Sequence, residues 1–153
     1  MKKILLLLFI TMTTLLSSES FSMEKLLATT TFHYSTDTDG DYVIDYKTRT
    51  GRDQQIIVRK HTNAFQNIYV REIISIAKVY TNEIIPEKLT KYLLIDNYSS
   101  KYIGNWAIHK KDDISTILFI AKLPYDTERL FLEAAVVEVA EAADALEKAM
   151  EEE

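Results

Sequence analysis

The last third of the chain constrains the fold most. Leu132, Val136, Val139, Ala143, Leu146 and Met150 fall at alternating spacings of four and three. Side chains so spaced share one face of an α-helix, and an apolar face this long must be buried. Ala134, Ala135, Ala140, Ala142, Ala145 and Ala149 widen that face and permit a neighbour to approach closely. A chain with such a helix needs a broad apolar surface to receive it. Pro124 breaks whatever precedes the helix, and Asp126 is placed to cap it. Glu151-Glu152-Glu153 reads as a frayed, solvated end.

The receiving surface is legible upstream as strands. Residues 31–35 and 42–47 are rich in aromatic and β-branched side chains, and Asp37-Thr38-Asp39-Gly40-Asp41 lies between them. Asp-Gly between two such runs signals a hairpin, because glycine takes positive φ without steric cost. Tyr42, Ile44 and Tyr46 share one face of the second strand. Thr50-Gly51-Arg52 is a second turn. Residues 55–60 read as a third strand and 68–80 as a long fourth. The fourth changes phase near Arg71-Glu72, which implies a bulge or a bend. Pro86 suits the first turn of a helix carrying Leu89, Tyr92, Leu93 and Asp96, ended by Asn97, Ser99 and Ser100. Residues 105–111 and 114–123 read as a last hairpin about Asp112-Asp113, the second strand apolar on both faces.

The N-terminus has a different character. Met1-Lys2-Lys3 precedes thirteen largely apolar residues, Ile4 to Leu16, followed by Ser17-Ser18-Glu19-Ser20-Phe21-Ser22. A charged start, a short apolar run and a small-x-small pattern at Ser20 and Ser22 read as a secretory signal. The run is short for a bilayer span, which takes ~20 residues; an uncleaved anchor is the alternative. No cysteine follows to carry a lipid. Residues 1–22 are thus expected as a signal peptide and residues 23–153 as one domain, periplasmic or secreted, with no membrane attachment after cleavage. Removing Lys2, Lys3 and Glu19 from 18 basic and 23 acidic residues leaves 16 and 22, a net charge of −6. That balance argues against nucleic acid as a partner. Without cysteine, the exported domain must be held by packing alone.

Charge is unevenly spread. Residues 126–153 hold ten acids and two bases, so the remainder of the mature chain is slightly basic at +2. Glu138, Glu141, Asp144 and Glu147 recur every three residues on the last helix. Such a row is expected to be its solvated face, since carboxylates used for acid–base work need burial. The Asp37-Asp39-Asp41 cluster lacks the glycine position and the closing glutamate of a calcium loop, and reads as an acidic turn. His33, His61 and His109 are isolated from one another. No strained Gly-x-Ser-x-Gly elbow and no glycine-rich phosphate loop occurs. Neither catalytic residues, cofactor nor metal is expected.

Certain segments, in their order, resemble the YbjN family, which shares the fold of type III secretion chaperones. They are Asp39-Gly40-Asp41-Tyr42-Val43-Ile44, Thr50 to Val58, Leu93-Leu94-Ile95-Asp96-Asn97, Gly104-Asn105-Trp106-Ala107-Ile108 and Val139 to Glu147. The resemblance spans residues 32–150. It implies a non-enzymatic fold of the kind that holds partner polypeptides along sheet and helix surfaces. Secretion chaperones are cytosolic and begin with a longer helix than residues 23–29 allow, so a role in a secretion apparatus is not implied.

The expectation is therefore a single α+β domain: an antiparallel sheet, helices packed against it, and a long C-terminal amphipathic helix. Its function is expected to be protein binding, chaperone-like or regulatory. The alternative is a small-ligand module or hydrolase on the concave sheet face, using Tyr42, Tyr46 and Trp106. The stripe spans about 27 Å and a six-stranded sheet about 24 Å, so the sheet could use the stripe up. The flanking alanines nevertheless point to a homodimer or partner contact drawn from Leu132, Val136, Val139, Ala142, Ala145 and Ala149.

Overall fold

A computed structural model describes residues 20–152. The expected export signal lies, up to residue 19, outside the described residues. The elements are α1 (Met23–Leu27), β1 (Tyr34–Thr36), β2 (Tyr42–Lys47), β3 (Asp53–Phe65), β4 (Ile68–Thr81), α2 (Glu87–Ser99), β5 (Gly104–Lys111), β6 (Ile114–Pro124) and α3 (Arg129–Glu151). Six antiparallel strands form one sheet in the order β1-β2-β3-β4-β6-β5. The expected α+β architecture is the one observed.

Turn chemistry explains the hairpins. Gly40 and Gly51 both take positive φ, +82° and +84°. Asp37 Oδ1 accepts from the N–H groups of Asp39 and Asp41, so the acidic cluster is a self-bonded turn. The β3–β4 hairpin runs longer than its sequence suggests. It continues to Phe65 and turns through Gln66 at φ +53°. The irregularity expected near Arg71-Glu72 exists, but the surplus residues lie on β3. The register slips between Val58 and Thr62, which places Arg59, Lys60 and His61 opposite Glu72 alone. Arg71 holds the bulge by donating to the carbonyls of Arg59 and Lys60. Asp126 does not cap α3; the helix starts three residues later behind Glu128, whose side chain makes no capping bond.

One face of the sheet carries the core. Ile44, Ile56, Val58, Ile73, Ile117, Phe119, Ala121 and Leu123 are buried there under Leu132, Val136, Val139, Ala143 and Leu146 of α3. Met23 and Leu27 of α1 and Leu93 of α2 complete the same cluster. Ala135 and Ala140 are fully buried, and Ala142 nearly so. Their small side chains bring the helix axis close to the strands, the close approach that the alanine content implied. At ~34 Å, α3 is long enough to cross the whole sheet.

Candidate functional site

Three of the six residues expected at a partner or dimer contact are spent inside the domain, and a fourth is nearly so. Leu132, Val136 and Val139 have no exposed surface, and Ala142 keeps 4%. The sheet accepts Leu132, Val136 and Val139, which cannot meet another molecule without unfolding, while Ala142 keeps a small outward surface. Ala145 and Ala149 remain exposed. They are joined on the outside of α3 by residues that the inner stripe had hidden from view. Leu130, Ala134, Val137 and Ala145 follow one another at helical spacing and all face solvent. Leu130 is 71% exposed, and Phe131 beside it 46%. The helix is apolar on two sides, and only one side is covered.

The carboxylate row expected to be solvated flanks this outer stripe and is bonded to distant parts of the chain. Glu138 accepts three backbone N–H bonds, from Tyr102 at 2.7 Å and from Ile103 and Gly104 at 2.8 Å each. Glu141 accepts the Arg49 N–H at 2.9 Å and pairs with the Arg49 guanidinium at 3.1 Å. Asp144 is 1% exposed. It accepts from the Thr50 hydroxyl at 2.7 Å, and Arg52 Nε lies 2.9 Å from its other oxygen. That second contact acts through charge, because the N–H is not aimed along a hydrogen-bond direction. Glu147 and Glu151 complete a cradle around Arg52, and Glu147 also accepts from Gln54. The bond from Arg52 holds the Glu151 carboxyl below its ordinary pKa. Thus α3 bolts the β2–β3 turn along one part of its length and the loop before β5 along another.

These two bolted loops wall a groove over the outside of α3, with a volume of about 710 Å³. Ala134, Val137, Ala142 and Ala145 contribute from the helix, Tyr46 and Arg49 from one wall, and Lys101, Tyr102 and Ile103 from the other. Tyr102 is 92% exposed. The far wall is stiffened from behind. Asp96 pairs with Lys101 at 3.1 Å and accepts the Trp106 indole N–H at 2.7 Å. Burial alone would raise the Asp96 pKa; bonds from Ser100, Trp106 and Lys101 overcome it and hold the carboxyl low. The Asn97 amide accepts from Trp106 N–H and donates to Trp106 C=O, which seals that point of the β5 edge against another strand.

The remaining candidates resolve into structure. Trp106 is 6% exposed and packs edge-on against Phe119, ring centroids 5.0 Å apart. Tyr42 packs on Tyr34, and Tyr46 on Phe32. These contacts set the three rings on the packed side of the sheet, Trp106 buried and Tyr42 and Tyr46 half-buried, with Tyr46 also facing the groove over α3. Asp41 is buried against Arg59 Nη1 at 2.6 Å and the Lys60 N–H at 2.7 Å. Burial pushes its pKa up, but those two bonds prevail and the carboxyl sits below its ordinary value of 3.8. His61 and Glu72 share a polar hollow with Asp39 and Asp41. Among the described residues, no three histidine, aspartate or glutamate side chains are placed to hold a metal ion. None of the described helices is long and apolar enough to cross a membrane.

Comparison with known proteins found no matching family model, no matching curated protein and no matching solved structure.

Of the groove residues, sequence reasoning identified Ala142 and Ala145 and missed Ala134, Val137 and Tyr102 as exposed contacts. The outer helical stripe was readable at spacings of four, three and eight, with Glu141 in the turn between Val137 and Ala145. Tyr102 lies in a loop without periodicity and left no signal.

Proposed function

We propose that this chain is an exported, non-catalytic protein-binding domain whose docking surface is the groove on the outside of α3. The observation that carries the reading is the uncovered apolar side of a helix whose opposite side already fills the core. Exposed large apolar side chains grouped with an aromatic rim are the usual mark of a polypeptide contact. The surrounding carboxylates support it as well, because Glu138 and Glu141 are committed to loop N–H groups and a guanidinium. They tie the walls to the helix, and with Glu133 they border the apolar floor made by Ala134, Val137, Ala142 and Ala145. An amphipathic helix laid between the walls, or an extended segment, would bury Val137 and Ala145 and set apolar side chains against Tyr102.

A second copy of the chain is one such partner. The dimer expected from sequence then narrows to Ala145 and its outward neighbours, with Ala149 beyond the groove. Repulsion between two acidic C-terminal segments favours a partner surface drawn from the rest of the molecule. The test compares wild-type protein with the doubly substituted Val137→Glu, Ala145→Arg chain as baits on envelope extract, with light scattering of each. Loss of the same captured polypeptide, or of the dimer, from the variant alone supports the groove. Identical capture and identical mass for both proteins would remove it.

A further inference from the structure

The structure shows which of two cleavage registers leaves the domain whole. Both are written in the sequence. Ser20 and Ser22 give one small-x-small pair, with cleavage after Ser22; Ser18 and Ser20 give another, with cleavage after Ser20. Only the second leaves Phe21 and Ser22 on the mature chain.

Both residues belong to the fold. Phe21 packs against the core and stands edge-on to Tyr125, centroids 5.7 Å apart and planes at 77°. Tyr125 in turn stacks edge-on against Tyr69 and donates its N–H to the Tyr69 carbonyl. Phe21 therefore ends an aromatic row that ties the N-terminus to β4 and to the end of β6. Ser22 is the N-cap of α1. Its Oγ accepts from the Lys25 N–H at 3.4 Å and its carbonyl accepts from the Leu26 N–H at 3.1 Å. This short helix seats Met23 and Leu27 in the core, at 4% and 0% exposure.

Cleavage after Ser22 would strip the cap, leave the Lys25 and Leu26 N–H groups without those partners and remove the Phe21 ring. It would also place a new ammonium group on the first helical residue, where unpaired N–H groups already concentrate positive charge. Cleavage after Ser20 loses none of these contacts, because Ser20 is exposed and precedes them all. We infer that the export signal is removed between Ser20 and Phe21, so that Phe21 is the first residue of the mature protein. The inference rests on the export reading above, and the experiment separates the two.

The full chain is produced in a bacterium, the envelope and extracellular fractions are collected, and the intact mass of the product is measured. A product beginning at Phe21 is expected. A product beginning at Met23, or at any other residue, overturns the assigned register while leaving export intact. Full-length chain retained in the cytoplasm overturns the export reading and the register with it. Two variants sharpen the result. Ser18→Tyr places a bulky side chain three residues before the inferred cut and should make precursor accumulate. Ser22→Tyr lies beyond that cut and should leave the mature N-terminus at Phe21. The reverse pattern, with Ser22→Tyr blocking processing and Ser18→Tyr silent, would assign the cut to the other register.

Discussion

Replacing Glu138 with alanine should unfold the groove wall before anything else in the molecule. Its carboxylate is the acceptor for three consecutive backbone N–H groups, those of Tyr102, Ile103 and Gly104. A hydrogen bond to a charged group contributes about 1.5–3 kcal/mol, and a buried N–H left without a partner costs about 1–3 kcal/mol. Tyr102 is exposed, so its N–H returns to water at little cost. Ile103 and Gly104 are half-buried, and at the lower figure their two bonds together are worth ~3 kcal/mol. For a domain of this size that corresponds to a loss of roughly 10 °C in melting temperature. Urea denaturation followed by tryptophan fluorescence is the assay, because Trp106 lies two residues beyond the released N–H groups. Glu133→Ala is the control: Glu133, half-buried, sits 3.8 Å from the exposed Arg129 in a pair one turn apart, of a kind worth about 0.3–0.5 kcal/mol. A Glu138→Ala loss no larger than that of the control would refute the claim that this carboxylate holds the wall.

Three further outcomes follow from the same contacts. Gly104→Ala should cost ~2 kcal/mol in urea unfolding, because an added Cβ would lie 2.3 Å from Phe119 Cε1 and 2.9 Å from the Ile120 carbonyl oxygen, and Phe119 is fully buried. Asp144→Ala should cost ~2 kcal/mol and weaken protection of the Thr48–Arg52 turn in hydrogen exchange. Breaking a buried pair costs about 3–5 kcal/mol, lowered here because Arg52 is about one-third exposed and keeps Glu147 and Glu151. Acid should destabilise the domain through Asp41 and Asp96, whose folded-state pKa values lie below the ordinary 3.8. The unfolded chain binds those protons first, so their stabilisation is complete above the ordinary value and is lost as pH falls through the folded values. Thermal melts from pH 6 downward should show that loss, and Asp41→Asn should flatten part of the slope.

What the sequence revealed and what it withheld divide along physical lines. The inner stripe from Leu132 to Met150 was legible because burial imposes a period, and the hairpins at Gly40 and Gly51 because positive φ selects glycine. The irregularity expected near Arg71-Glu72 as a bulge or a bend is a bulge whose surplus residues lie on β3. A phase change in one strand does not say which partner carries the extra residues, and Arg71 marks the bulge only once the carbonyls it serves are in place. The carboxylate row was misread for a related reason. Glu138 and Asp144 show the spacing of a solvated face, yet their partners lie 34 to 94 residues away in sequence, in a turn and at a strand start that no helical period points to. The helix start was placed early because Asp126 has the right chemistry for a cap, but the chain makes one more turn, through Thr127, before it enters α3.

The central claim is that the outside of α3 takes a polypeptide, and a photo-crosslinking side chain installed at Ala145 tests it most directly. The same group installed at Lys78, an exposed site on β4 away from the groove, serves as the reference. Irradiation of intact cells producing the full chain should yield a defined adduct from position 145 and none from position 78. An adduct at twice the mature mass would identify a second copy as the partner, and any other mass a different polypeptide. No adduct from position 145, or the same adducts from both positions, would contradict the account.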